Sequence, residues 1–116
     1  MEGAASAHCV LAFDGETPVG FALYFYNFST FLARRGLYLE NLFVRPDHRG
    51  GGHEKALLLH LAKTAHAKVC GRMEWCVLDW NQPAIDFYQS LGAEMMREWT
   101  TCRLNQTALA RIAESA

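Results

Sequence analysis

Two kinds of residue able to do chemistry lie close together between Leu37 and Leu59. Glu40 is the one acid in an apolar run, Leu37 to Val44, that reads Leu-Tyr-Leu-Glu-Asn-Leu-Phe-Val. Apolar surroundings disfavour a carboxylate's charged form, which makes an isolated acid a candidate proton acceptor. The second kind is the turn Arg49-Gly50-Gly51-Gly52. It follows Arg45-Pro46-Asp47-His48, where proline fixes its own φ and turns its predecessor away from helix. A strand, a glycine turn and a helix in that order aim free N–H groups and a positive helix end at an anion. The backbone of Arg49 to Glu54, with Gly50, Gly51, Gly52 and His53 between, is therefore a candidate phosphate cradle. The same glycines would also suit a plain strand-to-helix loop.

Spacing narrows the ligand. No Lys-Ser or Lys-Thr follows the glycines, which excludes the nucleoside-triphosphate loop. Gly50 and Gly52 lack the third glycine of the dinucleotide fingerprint, and Glu54 is not placed to read a ribose. Other constellations are weaker. His53, His60 and His66 are 7 and 6 residues apart on one helix, which misses the i, i+4 spacing of a two-histidine metal site, so no metal is expected. Cys76 on a strand reads as a small buried hydrophobe rather than a nucleophile.

The elements that hold these residues follow from pattern. His8 to Phe13 reads as a strand, ended by the turn residues Asp14 to Thr17; Pro18 to Phe28 is a second, aromatic-rich strand completing a hairpin. Asn27 to Gly36 reads as a loop with solvated Arg34 and Arg35, and Leu37 to Val44 as the third strand. Leu58, Leu61, Ala62, Ala65 and Val69 form one stripe on a helix running to about Lys68, with Gly71 as its stop. Met73 to Asp79 is a fourth strand, parallel to the third because a helix joins them. Asn81 caps a short helix, Pro83 sits in its first turn and Gly92 ends it. Glu94 to Leu104 reads as a last strand, and Asn105 to Ala116 as a terminal helix. Met1 to Ala7 reads as a frayed end, leaving one domain from His8 to Ala116.

With 116 residues, 51% of them hydrophobic and 20% charged, the chain suits one globular core. A net charge of −1 argues against a nucleic-acid surface. No apolar stretch reaches membrane-spanning length and no signal-peptide pattern opens the chain. The scattered Cys9, Cys70, Cys76 and Cys102 suit free thiols in a cytoplasmic setting.

Two blocks carry a resemblance. The pattern Arg-x-x-Gly-x-(Gly or Ala), opening a helix after Val-x-Pro-x-x-Arg, runs from Val44 through Arg49 and Gly52. The pattern Asn-x-x-(Ala or Ser)-x-x-Phe-Tyr-x-x-x-Gly-Phe/Ala stands as Asn81, Ala84, Phe87, Tyr88, Gly92 and Ala93. Together, in this order, they resemble the GNAT superfamily of N-acetyltransferases. The stretches Gly20 to Tyr24, Leu37 to Val44 and Trp80 to Pro83 look like its diamine (spermidine/spermine or thialysine) branch. The resemblance covers about His8 to Leu104.

It implies an α/β fold, a mixed central sheet with flanking helices, here without the superfamily's usual first strand and first two helices. It further implies acetyl-coenzyme A as co-substrate and a small primary amine as acceptor. The backbone of Leu42, Phe43 and Val44 would bind the pantetheine amides, and the Arg49–Glu54 turn the pyrophosphate. Asn81 would contact the coenzyme, Glu40 would be the base and Tyr88 the acid that protonates the leaving thiolate. Glu40 and Glu98 are the acids offered to the acceptor. The loop Ser29 to Arg35 supplies two arginines and no acid, which points to a singly charged or amino-acid-like amine. One motif position departs: Glu54 stands where a small residue belongs. That departure and the missing elements keep a second reading open, a catalytically impaired remnant acting as a dimeric binding or scaffold module. A homodimer is expected in either case, paired through the hairpin edge or through Glu94 to Leu104.

Overall fold

The structure, a computed structural model, describes residues 6–29 and 33–115. Most of the expected frayed end, and the centre of the expected arginine loop, lie outside the described residues. The elements are β1 (His8–Asp14), β2 (Thr17–Ser29), β3 (Arg34–Val44), a single 3-10 turn (Pro46–His48), α1 (His53–Ala67), β4 (Arg72–Glu74), α2 (Gln82–Ser90) and α3 (Gln106–Ser115). This is a mixed α/β fold with a four-stranded sheet in the order β1-β2-β3-β4. The chain resolves into two compact units, Met1–Cys76 and Val77–Ala116.

In the first unit β1, β2 and β3 run antiparallel, and β4 joins β3 in parallel after the α1 crossover. The hairpin turn sits where the sequence places it, with Asp14 opposite Thr17. The second hairpin is longer than expected. Asn27, Phe28 and Ser29 pair with Gly36, Arg35 and Arg34, so the ends of the expected loop are strand. Arg35 is correspondingly not just solvated, and its guanidinium lies 5.0 Å from the centre of the Tyr26 ring.

The pairing of β2 with β3 contains the feature that shapes the unit. Leu23 lies opposite Asn41 and Tyr24 opposite Leu39, which leaves Glu40 as an extra residue, a β-bulge. A bulge shifts the two-residue alternation by one. Leu37 and Leu39 before it and Leu42 and Val44 after it therefore share a face. On that face Leu37, Leu39 and Val44 are buried with Val19, Ala22 and Tyr24 beneath Leu57, Leu58, Leu61 and Ala65 of α1. Burying one large aliphatic side chain contributes about 1.5–3 kcal/mol, so this layer dominates the unit's stability.

The helix stripe differs from the sequence reading at two positions. Ala62 is exposed, and Val69 is 65% exposed with φ +58, past the Lys68 cap. The helix thus stops at a left-handed valine before Gly71 is reached. On the opposite face of the sheet the rings of Phe21 and Phe43 lie 5.8 Å apart and those of Phe25 and Tyr38 5.3 Å apart.

The second unit holds α2 and α3. Asn81 caps α2, its side-chain oxygen accepting from the Ala84 N–H at 3.4 Å, and Gly92 (φ +100) follows the stop. Asn105 caps α3 in the same way at 2.8 Å. The expected strand Glu94 to Leu104 is not formed. Isolated β-formers gain little without a ladder, and the described residues of this unit contain no strand to pair with. All four cysteines are free thiols. Among the described residues no helix is long and apolar enough to cross a membrane, and no group of three or more His, Cys, Asp or Glu is placed to hold a metal.

Candidate functional site

The bulge also sets where β3 and β4 part. A bulge bends its strand and adds twist, and the parallel ladder covers only Gly36–Arg72, Leu37–Met73 and Tyr38–Glu74. The expected fourth strand, Met73 to Asp79, is accordingly cut to Arg72–Glu74. From Leu39 to Val44, β3 has β2 on one side and, among the described residues, no strand on the other. The stretch Leu42-Phe43-Val44 offered for a ligand's amides lies on this open edge.

Beyond Val44 the chain makes the glycine turn. The Arg45 N–H donates to the Val19 carbonyl at 2.7 Å, fixing the exit from β3. Gly50 and Gly52 have φ of +83 and +87, a left-handed backbone that side chains disfavour by roughly 1–2 kcal/mol. Gly52 is the N-cap of α1 and provides no side-chain acceptor, and the first helical bond is Ala56 N–H to the Gly52 carbonyl. The N–H groups of the first turn are thus presented as a helix presents them to an anion.

The Arg49 side chain turns back toward β3. Its Nε donates to the Val44 carbonyl at 2.9 Å and its guanidinium lies 5.8 Å from the Phe43 ring centre. Arg49 therefore ties the turn to the end of β3. His53 opens α1, with its ring against Gly51 and 6.2 Å from the His48 ring. Glu54 lies in the first turn of α1 and is exposed.

Glu40 is exposed on the bulge, so burial within this chain does not supply the desolvation expected of it. Its neighbour Tyr38 has the more perturbed environment. The Tyr38 hydroxyl lies 3.2 Å from Cys76 Sγ. That bond, then burial, then the nearby Cys76, Glu40 and Glu74 charges push its pKa up to about 12. Tyr38 is thus a neutral hydrogen-bonding group at physiological pH. It sits at the fork where β3 leaves β4.

Asn81, Tyr88 and Glu98 belong to the second unit. Asn81 uses its side-chain oxygen as the α2 cap and keeps its amide N–H groups for other partners. Tyr88 is buried on α2, its ring 5.6 Å from that of Phe87. Glu98 is exposed, outside any regular element.

The Tyr38–Cys76 contact and the bulge escaped the sequence reading, and Cys76, read there as a buried strand residue, is exposed and lies beyond the end of β4. The bulge has a signal in the chain, since apolar positions change from odd (Leu37, Leu39) to even (Leu42, Val44) across Glu40-Asn41. Tyr38 and Cys76 meet only through the parallel pairing and have none.

Comparison with known proteins gives this arrangement a context. The profile of the Acetyltransferase (GNAT) family matches residues 1–93. L-ornithine N5-acetyltransferase NATA1 of Arabidopsis thaliana is 46% identical over 93 residues, 80% of this chain and 41% of the relative. Thialysine N-epsilon-acetyltransferases are 35% identical: the Bos taurus protein over 86% of this chain and 60% of its own length, the Caenorhabditis elegans protein over 94% and 69%. The chain thus spans about half the length of the first two of these relatives. Among solved structures, an integron cassette protein of V. cholerae superposes with a TM-score of 0.86 at 30% identity, covering 95% of this chain and 68% of that one. The family profile spans the bulged strand, the glycine turn with α1, and the Asn-capped α2, so the chain belongs to the GNAT acetyltransferase family.

Proposed function

We propose that the chain serves acetyl-coenzyme A-dependent N-acetylation of a small primary amine, of the kind carried on an amino-acid side chain. The carrying observation is the open edge of β3 leading into a left-handed glycine turn at the N-terminus of α1. It supports a ligand that has amides in an extended arm and a pyrophosphate at its end, as coenzyme A does. The names of the relatives, ornithine and thialysine acetyltransferases, support an amino-acid-like acceptor. The two arginines next to the second hairpin turn, Arg34 and Arg35, disfavour a multiply charged amine.

In this reading the backbone of Leu42, Phe43 and Val44 hydrogen-bonds the pantetheine arm. The N–H groups of Arg49 to Glu54 hold the pyrophosphate, and an Asn81 side-chain N–H assists. Glu40 takes a proton from the incoming ammonium, directly or through water, since only the neutral amine attacks the thioester. The nitrogen lone pair adds to the carbonyl carbon and the carbon–sulfur bond breaks. Tyr88 gives its proton to the departing sulfur, and the second proton, shed by the nitrogen as the amide forms, passes to solvent, which reprotonates the tyrosine. Exposure of Glu40 in the free chain suits a base reached by solvent until substrate covers it.

The test is release of free coenzyme A by the purified chain with ornithine, thialysine, lysine and spermidine. Turnover of an amino-acid amine, lost in Glu40→Gln and Tyr88→Phe, is the expected result. No release above the blank with any of the four overturns the catalytic reading and favours the binding module.

A further inference from the structure

The open edge of β3 is already occupied at its end. A trans peptide points its C=O and N–H in opposite directions, and no peptide bond among the described residues is cis. The Arg45 N–H donates to the Val19 carbonyl on β2 at 2.7 Å. The Val44 carbonyl, in the same peptide, therefore faces away from β2, along the open edge. Alternation along the strand turns the Phe43 carbonyl back toward β2, where a side chain on Gly20 would meet it at 2.6 Å. The groups facing outward are thus the Leu42 carbonyl, the Val44 N–H and the Val44 carbonyl. The last of these is taken, because Arg49 Nε donates to it at 2.9 Å. That bond closes the excursion from Arg45 to Arg49, which the His48 N–H also draws together by donating to the Arg45 carbonyl at 2.9 Å.

We propose that Arg49 is a positioning residue for the coenzyme, its Nε closing the β3 edge at the Val44 carbonyl so that the ligand enters the turn in one register. The inference rests on the proposed reading of edge and turn as the coenzyme's site. It narrows the Leu42–Val44 stretch to one acceptor, the Leu42 carbonyl, and one donor, the Val44 N–H. A free Val44 carbonyl would offer an amide N–H of the pantetheine arm a second acceptor, two residues farther along. Binding there would shift the arm by roughly 7 Å toward the helix, and the pyrophosphate would overshoot the turn. The same bond fixes the start of the turn to the end of the strand, which holds the turn's N–H groups at a set distance from the edge. Arg49 acts in this way through a donor at one atom and not through a charge beside the phosphates.

Donor and charge separate in two variants. Glutamine carries an N–H donor at the same place along its side chain as the arginine Nε, and no charge. Lysine keeps the charge but has a methylene at that place. The affinity of coenzyme A is measured by calorimetry for the unmodified chain, Arg49→Gln and Arg49→Lys. Circular dichroism confirms that each is folded, so that affinity reports the site and not stability. Arg49→Gln should bind within about twofold of the unmodified chain, and Arg49→Lys at least about fivefold more weakly. The reverse order, with lysine tolerated and glutamine weakened, makes Arg49 a charge for the phosphates and overturns the inference. A loss in both variants, or in neither, overturns it as well. Each of these results leaves the coenzyme reading intact, whereas no saturable binding by the unmodified chain overturns both.

Discussion

At the scale of single residues the turn combines a favourable backbone with an unfavourable side chain. In the proposed reading Glu54 occupies the motif position where the backbone must come close to the pyrophosphate. At an effective dielectric of about 20 and roughly 4–6 Å, a like-charge contact costs on the order of a few kcal/mol. The exposed setting of Glu54 lets solvent screen much of this. Glu54→Ala, which keeps a good helix former in the first turn, should tighten acetyl-coenzyme A about tenfold, or about 1.4 kcal/mol. Calorimetry that gives a low-micromolar constant unchanged by the substitution would sink the idea. Tyr38 gives a second prediction. Its pKa is raised to about 12 by the Cys76 contact, by burial and by neighbouring negative charge, against about 10 in the unfolded chain. Between those values the folded state holds a proton that the unfolded state has lost. The stabilisation is therefore complete below about pH 10 and disappears as pH rises toward 12. Ultraviolet titration should show one phenol ionising late, and Tyr38→Phe should remove it and flatten the alkaline loss of stability. An identical titration curve in the variant would refute the assignment.

At the scale of elements the glycine turn separates conformational need from spatial need. A Cβ at Gly52 meets nothing within 4 Å, yet its φ is +87. Gly52→Ala should cost about 1–2 kcal/mol through backbone strain alone. Gly51, whose Cβ would make only ordinary contacts at 3.6 Å and beyond, should accept alanine with little change or a gain of up to about 1 kcal/mol. Urea unfolding of the two variants distinguishes them, and equal losses would show that crowding matters instead. Local grammar of this kind is what made α1 and α2 legible: glycines, the proline break and Asn81 act on adjacent residues. The left-handed stop of α1 comes two residues before Gly71, because Val69, a β-branched residue, adopts the conformation expected of that glycine. Strand ends were less legible because they depend on partners far along the chain. Residues 27–29 and 34–36 extend the second hairpin because each side has the other as a neighbour. Met73 to Asp79 is shortened because the Glu40 bulge turns β3 away, and Glu94 to Leu104 has the composition of a strand without a ladder to join. Of the candidate site, the turn and the cap were readable, whereas the open edge of β3 follows from the bulge and the short β4. The Arg49 bond to Val44 and the His48–His53 contact were not, since side-chain direction is not written in spacing.

At the scale of the whole molecule the outer strand raises the question of assembly. Among the described residues β1 has β2 on one side and no neighbour on the other. Leu11 and Phe13 on it are 55% and 52% exposed, and the strand carries neither lysine nor proline to blunt its edge. We expect a homodimer in which β1 pairs antiparallel with its copy about Leu11. That register sets His8 opposite Asp14, Cys9 opposite Phe13 and Val10 opposite Ala12, so that an imidazole meets a carboxylate at both ends. Like-charged ends would have opposed the pairing; these favour it by a fraction of a kcal/mol each. The shift between Ala12 and Phe13 in the β1–β2 register adds twist at the Asp14 end. Pairing should therefore be firmest from His8 to Ala12. The other edge considered from sequence, Glu94 to Leu104, is not a strand and offers no ladder. Leu11→Lys should convert the dimer to monomer, leave the circular dichroism unchanged and leave coenzyme binding intact, because β1 is two strands away from the open edge of β3. Sedimentation of the unmodified chain as a monomer at about 200 μM, well above the range of a specific interface, would exclude this assembly.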